Sequence, residues 1–409
     1  MTVRGLSLFL LGACLASAPV LAAEFAPRSV RDFGAVGDGK ADDTAAFAQA
    51  LADAAKAPTG RSVHVPAGLY RLTRTLTIES TLLTGLDAGG WPADSQPQPH
   101  LVVDVPAPHP CIIAKLGASL HGLEFDFDDA GNPQRQFGPC VKIEGGGVSC
   151  TNLMLHNPTL GIVADGSTNC GRVNLENVFI VNARQLGVQF EYGLDVVTFR
   201  NIHVWNYLPD LVSTCTGFRI GHVDEIRLTD CSVVSAQTGF HFVATKLPDG
   251  TSRAAWGGMS NCTVDGSAFG IQVDQVNVLR ISGGSIWAHH FGLVCNGPGD
   301  VIVSGADLRA NGHHAIDVRD IGTLTVTGCL FRKNGTGWPD TAKVKIGGPG
   351  TVLVSGCSFD ERSIGVHLGP KATCVSLTGN VFAASPHRAL VDETGPGCRK
   401  LLANNLGME

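Results

Sequence analysis

Hydrophobic and polar positions alternate along most of this chain in short runs, and the runs recur. One run places apolar residues at every second position, passes through an Asn, Asp or Gly, and then resumes. It is read at Val173–Ile180, Val197–Val204 and Ile226–Val233, and again at Leu279–Ile286, Val301–Leu308, Leu324–Phe331 and Val352–Phe359. A second run is a short alternating strand opened by a small residue: Gly161, Gly187, Gly217, Gly239, Gly270, Gly292, Ala315 and Gly365 each begin one. Alternation with period two predicts strands, and no helical period lies between the runs. The Asn, Asp or Gly of the first run falls at 122, 152, 177, 201, 230, 261, 283, 305, 328, 356, 379 and 404, with gaps of 22 to 31 residues. A repeat of that length with two or three short strands cannot bury a core alone. Stacked turns can, so the pattern predicts an all-β parallel solenoid of about twelve coils, its backbones pairing at ~4.8 Å.

A solenoid needs its ends covered, because an open strand edge invites pairing with other chains. Asp42, Asp43 and Thr44 followed by Ala45–Lys56 predict a capped amphipathic helix over the N-terminal coil, within a cap of about residues 24–75. Residues 1–23 stand apart. Arg4, an apolar run from Leu6 and small residues up to Ala23 predict a secretory signal peptide, leaving 24–409 as a single domain that is secreted or periplasmic. Leu11–Cys14 offers a lipoprotein reading of the same segment.

Composition narrows the picture. Gly is abundant, at 51 of 409 residues, while only 16% of residues are charged, which excludes a disordered chain or a long-helix protein. A net charge of −6 gives no footprint for nucleic acid, and no later run is long enough to predict a membrane span. Cys231, Cys262, Cys329 and Cys357 recur at one point of the repeat, as small buried hydrophobes do. Cys374 and Cys398, near equivalent points of adjacent turns, are the preferred disulfide.

The N-terminal segment Val30–Thr44, with Val65–Tyr70 after it, resembles the signature of the pectate-lyase-like superfamily, which includes polygalacturonase-type hydrolases and phage tailspike depolymerases. The resemblance implies a right-handed parallel β-helix and a carbohydrate-active protein, with trimers known among relatives. The polygalacturonase catalytic set is not matched: Gly221-His222-Val223 lacks the second Gly.

Aligned turns show which outward residues share a place. Asp265, Trp287, Arg309, Arg332 and Asp360 follow the inward residue of one strand on successive turns. His289, His290, His313 and His314 sit at the next corner, and Arg219, His241, Gln272, Asp317, Lys345 and His367 point outward on the next strand. Longer connections at 206–216 (with Tyr207 and Asp210) and 333–343 (with Trp338 and Asp340) are expected to wall this side, and 245–258 forms a third. Trp287 suits a sugar ring, and Arg309, Arg332, Arg219, His241 and Lys345 suit an anionic glycan. Inverting hydrolysis needs an acid and a base about 6.5–9.5 Å apart, roughly two turns, and Asp274 with Asp317 meets that; Asp210 is an alternative partner. His290 and His313 are candidate acid–base groups. The leading expectation is a glycoside hydrolase acting on a polysaccharide without a cofactor. The alternatives are a lyase cleaving a uronate-containing chain, where Ca²⁺ could assist, and a non-catalytic glycan-binding module. Asp126, Asp128 and Asp129 form an acidic cluster that could hold such an ion.

Overall fold

The computed structural model describes residues 28–86, 99–127, 135–208, 214–335, 341–383 and 388–408. Apart from one short 3-10 turn and one α-helix, the regular structure there is β. The strands stack in parallel into a right-handed β-helix of about thirteen turns. Each full turn contributes to three faces. Val278–Ser282, Asp300–Ser304, Thr323–Thr327 and Thr351–Ser355 pair along the first. Asp307–Arg309, Leu330–Arg332 and Ser358–Phe359 pair along the second. Ile316–Asp320, Ala342–Ile346 and Ile364–Leu368 pair along the third.

The corner between the first and second faces is where the repeat was read. All twelve positions carry a left-handed backbone, with φ between 49° and 65°. Gly meets that geometry without a Cβ clash, and Asn or Asp tolerates it because its short polar side chain bonds locally. The bonds run from turn to turn: Asn201 Nδ2 donates to Asn177 Oδ1 at 2.9 Å, Asn177 to Asn152 at 3.0 Å, and Asn261 to Asp230 at 2.7 Å. Behind the corner, one apolar core runs from Val30 to Phe382. Its rings stack along the axis, as in Phe331, Phe359 and Phe382 with centroids 4.6 and 4.5 Å apart.

The small residue that opens the third face is required by crowding. A Cβ on Gly187 would lie 2.6 Å from the Gly217 carbonyl oxygen and 2.8 Å from the Val204 side chain. Lys343 occupies the same place between Ala315 and Gly365, fully buried, and carries its ammonium to the Arg362 carbonyl and to Asp360 Oδ1 at 3.2 Å.

The capping helix α1, Thr44–Lys56, forms as expected and buries Phe47, Ala50, Leu51 and Ala54 against the first turns, with Phe47 edge-on to Tyr70 at 5.4 Å. Its cap differs from expectation. Asp43 makes no side-chain bond to the helix; it accepts instead from the N–H groups of Val36 (2.6 Å) and Gly37 (3.1 Å), tying down the preceding loop. Asp42 Oδ1 accepts from Thr44 N–H at 3.0 Å in its stead.

The four repeat cysteines are buried, and Cys231 Sγ lies 3.6 Å from the Phe199 carbonyl oxygen of the preceding turn. Burial pushes the Cys111 and Cys150 thiols up to about 12. The expected Cys374–Cys398 disulfide is absent: both are free thiols. The reason is register. Cys374 pairs with Arg399, so Cys398 is one residue out of step, and a one-residue offset in a strand turns a side chain to the opposite face. The signal segment lies outside the described residues. Among those residues no helix is long and apolar enough to cross a membrane.

Candidate functional site

The third face carries an outward row set by in-register pairing: Lys142, Val163, Gln189, Arg219, His241, Gln272, Val294, Asp317, Lys345 and His367 on successive turns. A second set of polar groups stands beside it, contributed by Glu144, Asp165, Glu191, Asp274, Asn296 and Arg319. The two sets interlock. Lys142 Nζ lies 3.1 Å from Glu144 and 3.3 Å from Asp165, and Arg219 Nε donates to Glu191 Oε1 at 2.6 Å.

At the centre of the row, His241 Nε2 lies 2.6 Å from Asp274 Oδ2. The other oxygen of Asp274 accepts from Asn296 Nδ2 at 2.8 Å and Gln272 Nε2 at 3.0 Å. Burial would raise this carboxyl, but the bonds from Asn296, Gln272 and His241 outweigh it and hold Asp274 below the ordinary carboxylate range. Asn296 Oδ1 in turn approaches Arg319, whose Nε donates to the buried Asp317 at 2.8 Å. Asp274 and Asp317 therefore lie on next-but-one turns, joined through Asn296 and Arg319.

The rim beside this network is aromatic. Phe269, Phe291 and His313 stack along the axis, with centroids 5.7 and 5.0 Å apart, and the Arg319 guanidinium sits over Phe291 at 5.2 Å. Burial, then the charge of His290, push His313 below the ordinary histidine range, with Asp317 acting the other way and Lys345 adding to the depression. His314 points inward, its Nδ1 accepting from Ala342 N–H at 3.1 Å.

The structure thus sorts the residues singled out in the sequence. Arg219, His241, Asp274, Asp317 and Lys345 share the third face, and His290 and His313 line its rim. Trp287, Arg309 and Arg332 belong to the second face, across the corner. Both arginines there clasp one carboxylate, Asp307, through Arg309 Nε at 2.7 Å and Arg332 Nε at 3.2 Å. Trp287 stands 40% exposed beside them. Asp210, Trp338, Asp340, Asp128 and Asp129 lie outside the described residues. Among the described residues no group of three or more His, Cys, Asp or Glu side chains is placed to hold a metal ion. Glu191, Asn296 and Arg319 were missed by the sequence reading, although carrying each aligned turn two positions further would have reached them. The connection at 245–258 is an antiparallel hairpin, Thr245–Lys246 with Ser252–Arg253, whose Thr245 Oγ1 accepts from His222 N–H at 3.2 Å.

Comparison with known proteins finds the same fold elsewhere and a sequence match at the N-terminus. Residues 27–95 match the family described as Rhamnogalacturonase A/epimerase, pectate lyase-like. A 45-residue stretch is 58% identical to the mannuronan C5-epimerases AlgE3 and AlgE5 of Azotobacter vinelandii; it is 11% of this chain and only 2% and 4% of theirs. The A-module of the mannuronan C-5 epimerase AlgE6 from the same organism superposes with a TM-score of 0.56 at 16% identity, over 93% of this chain and 98% of that one. Bacteriophage CBA120 tailspike protein 3 gives a TM-score of 0.59 at 12% identity, over 98% of this chain and 65% of the tailspike. The tailspike gp49 of Acinetobacter baumannii bacteriophage Fri1, a capsular polysaccharide depolymerase, gives 0.53 at 14% identity, over 90% and 63%. At these identities the structural likeness speaks for the fold alone. The chain is a right-handed parallel β-helix whose residues 27–95 match the pectate lyase-like family model.

Proposed function

We propose that this protein is an enzyme acting on a uronate-containing polysaccharide, and that its chemistry begins with removal of the proton α to the uronate carboxylate. The observation that carries this reading is the His241–Asp274 pair at 2.6 Å with Arg219 on the adjacent turn. Asp274, kept ionised by its donors, orients the imidazole and stabilises the charge it acquires. Arg219 engages Glu191 through Nε alone, so its terminal nitrogens are available to a substrate carboxylate. Such a clamp stabilises the negative charge that builds on the carboxylate as the C–H bond breaks. Two outcomes follow from that intermediate. Loss of the neighbouring glycosidic oxygen, with the proton taken up by His241 passed to it, leaves an unsaturated end; delivery of a solvent proton to the opposite face, with the abstracted proton released from His241, inverts the centre. The AlgE relatives, named as epimerases, are consistent with the second outcome.

The hydrolytic reading assigns base and acid to Asp274 and Asp317. It asks for one carboxyl held protonated, whereas Asp274 is pulled the other way and Asp317 is ion-paired with Arg319. The deciding experiment follows polygalacturonate and mannuronan in D2O. Deuterium uptake at the α-carbon (inversion) or an unsaturated end without it (elimination) supports proton abstraction, and either signal should vanish in His241→Ala. New reducing ends with neither signal would establish hydrolysis. Silence across a broad panel would establish the binding-module reading.

A further inference from the structure

The outward row of the third face ends differently from how it begins. Its earlier cations each have a protein carboxylate: Lys142 has Glu144 and Asp165, Arg219 has Glu191, and Arg319 has Asp317. Lys345 pairs with Asp317 across the ladder by backbone register, yet its ammonium makes no hydrogen bond or ion pair among the described residues. Its Cε lies 4.0 Å from where a Cβ on Gly347, two residues further along the chain, would stand.

Directly after the inward residue of each third-face strand stand Asp274, Asn296 and Arg319; on the next two turns the same place holds Gly347 and Gly369, which offer no side chain to pair with the ammonium. On the turn after Lys345, His367 presents Nε2 to Glu393 at 3.1 Å. An unpaired half-buried cation thus stands on a stretch of the face where two successive turns supply no partner for it.

We propose that Lys345 forms a distal subsite that binds a uronate of the same polysaccharide chain, its ammonium taking the carboxylate. The proposal rests on the uronate reading above. Lys345 lies four turns from His241, roughly 19 Å at ~4.8 Å per turn. The enzyme then holds several sugar units at once and works within chains long enough to reach from Arg219 to Lys345.

The test is binding first and kinetics second, on the intact protein. In affinity gels cast with polygalacturonate, Lys345→Gln should weaken binding about tenfold, the scale of one charge-assisted hydrogen bond, and Lys345→Arg should recover most of it. His241→Ala should bind as the unmodified protein does. Hydroxyethyl cellulose should distinguish none of the variants. In turnover, Lys345→Gln should raise KM for the polymer and leave kcat and the constants for a diuronide unchanged. Undiminished binding of polygalacturonate by Lys345→Gln would overturn the subsite, as would an equal loss on hydroxyethyl cellulose. Stronger retention by dextran sulfate than by polygalacturonate would overturn its assignment to a carboxylate. If no uronate polymer is turned over, the proposed reaction fails, while the gels still decide whether Lys345 binds an anionic chain.

Discussion

The corner that leaves the first face and the outward row of the third face are made by the same turns of one solenoid, yet they obey opposite rules. At the corner the residue scarcely changes: Asn, Asp or Gly occupies it twelve times, always with a left-handed backbone. Along the row no two neighbouring turns share a residue type, and lysine, valine, glutamine, arginine, histidine and aspartate succeed one another. The corner is under a backbone demand that each turn must meet separately. The row is under none, because an outward side chain on a stacked strand is free to be chosen for what it touches. Repetition therefore marks structure here, and departure from repetition marks the surface on which chemistry can be placed.

That contrast can be broken or sharpened by substitution. The largest effect belongs to the repeated positions that face inward. In Gly217→Val the first added carbon would lie 2.5 Å from the Val233 side chain and 2.7 Å from the Gly239 carbonyl oxygen. We expect a loss of about 3 kcal/mol from overpacking, read as a large fall in Tm, with activity lost only in proportion to unfolding. His241→Ala should do the reverse: turnover about a hundredfold to ten-thousandfold lower, and an unchanged melting curve. If it also melts early, the row is structural and the contrast fails. Asn201→Ala keeps the left-handed corner (φ 49°) but removes a side chain that suits it and the bond to Asn177; a cost of about 1 kcal/mol is expected, with Asn201→Gly milder.

The smallest effect is a slope with pH. Burial holds His203 and His314 below the ordinary histidine value of about 6.5, so the folded state takes up their protons less readily than the unfolded chain. Their contribution is intact above that value and is lost as pH falls from it toward the lowered folded values. Asp307, which Arg332 and Arg309 hold down against the effect of burial, adds a second loss in stronger acid, as pH falls through its lowered value. Melting curves at stepped pH should therefore show Tm declining in two stages on acidification; a Tm that rose on passing from neutral to mildly acid solution would contradict the first.

The fold was legible because its demands are local. A left-handed corner selects Asn or Gly wherever it occurs, and an inward strand position selects an apolar residue, so both leave a mark at fixed spacing. The site was legible only in part. Outward columns could be aligned, which brought Arg219, His241, Asp317 and Lys345 into one row, but partnership between columns depends on how side chains lean across turns. Nothing in the order of residues shows that Arg309 and Arg332 converge on Asp307, or that Asp317 pairs with Arg319. The cysteine pairing failed for a related reason: spacing placed Cys374 and Cys398 on adjacent turns, and the one-residue register that separates them is fixed by pairing along the whole face.

Because successive strands pair in parallel at matching places, the molecule has no preferred number of coils. Duplicating or deleting one unit of sequence would preserve the backbone pairing and the inward stacking on either side of the join, while changing the length and the outward partners. On the proposed reading, in which the polymer lies along the axis, length is capacity: each added coil would extend the track by one step. Descendants of such a chain could be tuned to longer or shorter stretches of glycan by copying what is already present.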